Sequence, residues 1–252
     1  MLEIILIGIV VFLILTFFYK QAVCEFRFNQ IEWSQKDTLS SLFHERVPIV
    51  VRGIPKSGFW THEDVIMRET YNYAPVFEDQ GLSQWIVSTN EGTVCPWEKE
   101  QAGRIASVSG LQVWSERNIN SAVQTNPFFK LWLRPSYFCW SGQKGLFKTI
   151  ASWSVLFVTE GNVIVTIMPE NVESSLPPAW KDCFPASLTS HDTPFIGDLK
   201  FVDIILRPGN CLLMPSHWFV SWTSGEGSTI CPMVCSVEYH TPISKLADRA
   251  SV

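Results

Sequence analysis

The sequence predicts a mainly β domain, with a few helices on its N-terminal side, behind one membrane-spanning helix. Three observations predict it. Ile4 to Tyr19 is an unbroken run of sixteen uncharged, almost wholly apolar residues. Beyond it, short β-branched and aromatic runs alternate with Pro, Gly and polar turns, the pattern of strands rather than of long amphipathic helices. The densest such stretch is Arg207 to Trp222: a Pro208-Gly209 turn, the apolar run Cys211 to Met214, Pro215, then Trp218, Phe219 and Trp222. Pro-Gly sets a tight turn, and Pro215 ends the strand because proline cannot donate to a central ladder.

As a helix, residues 4–19 extend ~24 Å at 1.5 Å per residue, slightly short of a ~30 Å hydrocarbon core. Glu3 and Lys20 bracket the run, and Lys20 can snorkel while Tyr19 and the adjacent Phe pair sit at belt depth. A signal peptide wants a basic start and a small-x-small exit, and Met-Leu-Glu with Lys-Gln-Ala-Val-Cys supplies neither. A buried core helix shows a polar face, and this run has none. The expected organisation is therefore an anchor over 1–23 and one domain over 24–252. Lys20, Arg27 and Lys36 follow the anchor, so the positive-inside rule places a single-pass protein's domain in the cytoplasm.

The totals bound the partners. The chain has 252 residues, 46% hydrophobic, with 11 Trp and 17 Phe, enough for one sizeable core. Net charge is −5 and Lys and Arg form no cluster, so there is no nucleic-acid footprint. Seven cysteines at 24, 95, 139, 183, 211, 231 and 235 are odd in number and irregular in spacing, and read as buried free thiols. No Asn-x-Ser/Thr sequon occurs, which fits a cytosolic domain.

Along the domain, Phe26 to Leu42 reads as a connector and helix, capped by Thr38 or Ser40. Pro48 opens a β-branched strand that Gly53 and Pro55 close. His44 and His62 sit among charged residues at helix starts, as exposed polar groups. Gln84 to Val87, Phe128 to Leu133 and Tyr137 to Trp140 are strand candidates, and the polar stretch Trp114 to Asn126 is a helix with a loop. Ser141 to Gly145 lacks the Gly-x4-Gly-Lys-Ser/Thr order of a phosphate loop and reads as a hairpin turn. Val155 to Val158, Val163 to Met168, Phe201 to Leu206 and Thr229 to Tyr239 are further strands, the last broken by Pro232. The tail after Pro242 is short and polar.

Residues 207–222 resemble the second half of the cupin-like, JmjC-type core, where a Gly-containing turn, an apolar strand, a Pro and a Trp-aromatic-His follow in that order. The run Val47 to Gly53 is similar to the family's entry strand. Val155 to Val158, Gly161 and Val163 to Pro169 match its strand-turn-strand-Pro frame. The resemblance covers roughly residues 30–240 and implies a double-stranded β-helix barrel of the jelly-roll type. In the family a His-x-Asp and the later His hold Fe(II) as a facial triad, and a Lys binds 2-oxoglutarate. Counted without a gap, those positions fall on Lys148, Ile150 and Val220, and the Lys position on Val163. A slip of one or two brings in Phe147, Thr149 or Ser152, none of them a His or a carboxylate.

An ammonium repels a cation, and Ile and Val offer no donor. The resemblance therefore implies the scaffold without its catalytic metal: a membrane-anchored binding or scaffolding module with no predicted cofactor, leaning away from an enzyme. Its partners are the membrane, through residues 4–19, and an unidentified protein at the barrel mouth. Lys148, Ile150, Trp153, Val163, Trp218 and Val220 are the expected lining of the former pocket. Leu176 to Phe195 links the barrel halves over its mouth. Two alternatives stay open. One is an Fe(II)/2-oxoglutarate hydroxylase acting on protein or RNA with an unconventional ligand set, for which His191, Asp192 and His217 are the fallback ligands. The other is a purely structural membrane protein.

Overall fold

Two sheets, layered face to face, carry the domain. The computed structural model describes residues 2–20, 27–73, 75–77, 80–123, 132–189, 191–192, 197, 199–227 and 229–249. In chain order the helices are α1 (Leu2–Lys20), α2 (Leu39–Leu42), α3 (His62–Met67), α4 (Leu82–Ser88), α5 (Lys99–Ser109), α6 (Leu111–Asn118), α7 (Asn120–Val123) and α8 (Pro242–Arg249). The strands are β1 (Asn29–Glu32), β2 (Ile49–Arg52), β3 (Pro75–Phe77), β4 (Gln80–Gly81), β5 (Arg134–Ser141), β6 (Lys144–Lys148), β7 (Trp153–Glu160), β8 (Val163–Met168), β9 (Val202–Leu206), β10 (Asn210–Pro215), β11 (Phe219–Ser224) and β12 (Met233–His240). The proportions are mixed, strands with a substantial helical share, rather than the mainly β chain the sequence predicts.

The larger sheet has the order β1-β2-β10-β7-β12-β5 and the smaller β6-β11-β8-β9. From β5 onward the pairing is nested. β8 pairs antiparallel with β9, β7 with β10, β6 with β11 and β5 with β12, so the chain doubles back on itself at the β8–β9 connection. Among the described residues no ladder joins the two sheets, and they do not close into a barrel. The space between them is filled from both sides: Trp222 of the smaller sheet meets Trp140 of the larger at 6.2 Å, edge to face, and Phe147 at 5.7 Å. Such contacts between large rings dominate core energetics.

The far face of the larger sheet is covered by the N-terminal helices. Trp114 of α6 stacks on Phe157 of β7 at 4.7 Å. α5 lies along the edge strand β5, with Phe138 and the Tyr137 carbonyl next to Gly103. The indoles of Trp60 and Trp97 donate to the Trp140 and Cys139 carbonyls. These bonds satisfy backbone acceptors that burial would otherwise leave costly.

Several sequence expectations change here. Gln84 to Val87 lies inside α4, not a strand, with Leu82, Trp85 and Ile86 buried at helical spacing. Short apolar runs do not distinguish the two by periodicity. Ser141 to Gly145 is a turn, but β5 and β6 belong to different sheets, so it is a crossover rather than a hairpin. Gly142 takes φ +93° there, and a side chain would overlap the Thr93 carbonyl. The polar tail forms α8, capped by reciprocal bonds between Thr241 and Ser244. Most of the Phe128 to Leu133 candidate, Cys24 and Phe195 lie outside the described residues. The other six cysteines are free thiols, five of them buried.

α1 exposes most of its apolar side chains, from Ile4 at 74% to Leu15 at 48%, with Phe12 partly covered, and lies alongside α8. Among the described residues no helix is long and apolar enough to cross a membrane. The side chains of α1 are described as far as Leu15.

Candidate functional site

A cavity of about 690 Å³ opens between the two sheets, a volume that suits a small organic ligand. Its walls come from β6, the start of β7, the end of β10, β12, the segment 170–182 and the first turn of α5. Side chains alternate across a strand. On β7 and β12 that alternation turns Ser154, Leu156, Ser236 and Glu238 to the cavity. Glu238 and Ser154 are direct cross-strand partners, and so are Ser236 and Leu156.

Glu238 is the buried charge of the site, 6% exposed. Its Oε2 takes a bond from Lys99 Nζ at 2.8 Å and meets His240 Nε2 at 3.1 Å. Burial alone would raise its carboxyl, but the Lys99 ammonium and the His240 bond more than offset this and hold it below the usual carboxylate range. Lys99, 49% exposed, reaches in from α5 over the Phe138 ring. Ser154 is 4% exposed, and its Oγ has no hydrogen-bond partner in the protein. Ser236 Oγ accepts from Trp140 Nε1 at 3.0 Å, leaving its own hydrogen to donate.

The opposite wall carries a second charge cluster. Lys148 Nζ lies 2.8 Å from Glu170 and 2.7 Å from Glu173. Burial would depress this ammonium, and the two carboxylates hold it above its ordinary value. Glu170 also lies 3.7 Å from His217 Nδ1. Lys144 pairs loosely with Asp182 at 3.4 Å.

Of the expected pocket positions, Lys148 and Ile150 line this cavity and Trp153, Val163, Trp218 and Val220 do not. Val163 and Val220 are core residues. Trp153 packs on Phe43 at 4.6 Å, and Trp218 borders a separate hollow of about 350 Å³ beside Phe28 and Val202. The register explains the difference. Val220 pairs with Phe147, and Lys148 pairs with Phe219, whose ring lies 5.5 Å from the Lys148 ammonium. Lys148 thus turns away from Val220, and Phe147 is its neighbour across the strands. A slip of one residue exchanges the faces of a strand.

Neither register supplies iron ligands. Phe147 and Val220 have no donor. Thr149 commits its hydroxyl to the β10–β11 turn, accepting from Trp218 N at 3.0 Å and bonding the Pro215 and Trp218 carbonyls. The residues present do not fit a 2-His-1-carboxylate centre. Among the described residues, no three His, Cys, Asp or Glu side chains gather as a metal site. His191 and Asp192 are exposed, the latter bound to Thr189, while His217 is buried beside Glu170.

Lys99, Ser154, Ser236, Glu238 and His240 were not expected at a site. Their signal is the polar alternation Ser236-x-Glu238-x-His240 inside an otherwise apolar strand. Of the Leu176 to Phe195 stretch, Leu176, Trp180 and Leu188 pack on the smaller sheet's outer face, Trp180 edge-on to Phe219 at 4.8 Å, and Trp180 to Asp182 also edge the cavity. No family model matches the chain, and no curated protein matches it.

The pH response follows from Glu238. Its folded-state pKa is lowered, so it contributes stability that is fully present above the unfolded value of ~4.3 and is lost as pH falls through the folded value. Glu238→Gln should flatten the acid limb of melting temperature against pH below about 4.3, where the parent chain's stability falls. Parallel acid limbs for parent and variant would contradict this role.

Proposed function

We propose that this chain is a membrane-attached binding module on a double-stranded β-helix scaffold, whose cavity takes a small ligand or a partner's side chain and runs no Fe(II) chemistry. The nested pairing of β5–β8 with β9–β12 supports the scaffold, because a double-stranded β-helix is a chain wound back along itself in that way. The observation that carries the binding reading is the 690 Å³ cavity with an unpartnered Ser154 hydroxyl in its wall. A purely structural protein gains nothing from a buried polar atom left without a partner.

The hydroxylase alternative needs donors that Phe147, Thr149 and Val220 do not offer. Calorimetric titration of the full chain in detergent micelles with Fe(II), or Mn(II) in its place, tests this directly. The expected result is no saturable one-to-one binding, with or without 2-oxoglutarate. One-to-one metal binding tightened by 2-oxoglutarate would overturn the reading.

Attachment rests on α1, most of whose apolar side chains from Ile4 to Leu15 are exposed. Leaving that area in water is unfavourable at ~25 cal/mol per Å². The basic residues after it, Lys20, Arg27 and Lys36, favour a cytoplasmic domain. The full chain should float with liposomes and stay with them through alkaline carbonate, whereas release by carbonate would contradict insertion.

A further inference from the structure

We infer that the ligand of this cavity is electrically neutral and carries one group that both donates and accepts hydrogen bonds, a carboxamide being the simplest, on a flat apolar body. The inference rests on the binding reading above and names the class of molecule that reading leaves open.

Charge balance excludes the charged alternatives. The ionic side chains around the buried part of the cavity are paired: Lys99 with Glu238, Lys148 with Glu170 and Glu173, and Lys144 with Asp182, while the other two charged lining residues, Glu98 and Lys181, are exposed to solvent. An anion seated beside Ser154 would meet the buried Glu238 carboxylate, and a cation there would have to share that one carboxylate with Lys99. Either leaves a desolvated charge without a full partner, which is costly. A neutral group avoids both costs.

The polar atoms that remain are specific in kind. Ser154 offers a hydroxyl with no partner, and Ser236 offers a hydroxyl hydrogen. Both Lys99 and His240 hold Glu238 through Oε2, so Oε1 is left to accept. Two donors beside one acceptor complement a carboxamide, whose carbonyl accepts from the serines and whose N–H donates to Glu238. Trp140, Phe147, Leu156 and Met214 supply apolar wall for the rest of the molecule.

The test compares four probes of matched size: benzamide, benzoate, benzylammonium and ethylbenzene. Each is titrated by saturation-transfer NMR against the full chain in micelles, with empty micelles as blank. Benzamide should bind best. Ser154→Ala should weaken it roughly three- to ten-fold while leaving ethylbenzene unchanged. Ser236→Ala should do the same, and near-UV circular dichroism checks that both variants are folded. If benzoate or benzylammonium binds more tightly than benzamide, or if neither serine matters to benzamide, the inference is overturned while the cavity stands as a binding site. If none of the four binds, the binding reading falls and the inference with it.

Discussion

The placement of β12 between β5 and β7 is the constraint on which the rest depends. Every residue of β12 is buried, and it pairs with both neighbours along its length. A strand in that position is normally apolar throughout, since each polar side chain must find a partner away from water. β12 instead carries Ser236, Glu238 and His240 on one face. Lys99 must therefore arrive from α5 to neutralise Glu238, and α5 must lie close against β5 for it to reach. The helices on the N-terminal side thus cover the sheet's far face and complete the charge balance of the near one.

The two sheets divide their labour at the cavity. The smaller sheet and the segment behind it hold Lys148 between Glu170 and Glu173, directed away from Val220. The Trp140, Trp222 and Phe147 rings fill the interior beside the cavity. What stays open is bounded by aromatic wall and by the serine and carboxylate pair of β7 and β12. That wall offers hydrogen bonds and apolar contact, and His217, its one imidazole, lies beside Glu170 with no second imidazole in the lining.

Much of the β architecture was legible in the sequence. Pro208-Gly209, Pro215, Gly161 and Pro169 punctuate β7–β8 and β10–β11 where expected, because turn chemistry is local. The helix α4 was not legible, since a four-residue apolar run fits either period. Nor was α8, a two-turn amphipathic helix with Ile243 and Leu246 at helical spacing, too short for a periodic signal and started by the capping exchange of Thr241 and Ser244. The site was only half legible. Counting residues reached Lys148 and Val220 as positions without metal donors, but a one-residue register difference set Lys148 beside Phe219, on the face opposite to Val220. The partners of Lys148 lie 22 and 25 residues away in sequence, and those of Glu238 include one 139 residues away, separations no local pattern encodes.

The central claim is that the Ser154 hydroxyl in the wall of this cavity serves a ligand rather than the fold. Ser154 tests it most directly, because its hydroxyl is buried and has no partner in the protein. The measurement is equilibrium urea unfolding of the full chain in micelles, parent against Ser154→Ala, without added ligand. A hydroxyl kept for binding contributes nothing to the unliganded fold, so the variant should be as stable as the parent or more stable by about 1 kcal/mol. A loss of more than about 1 kcal/mol would show that the hydroxyl holds the structure together, and would contradict the account.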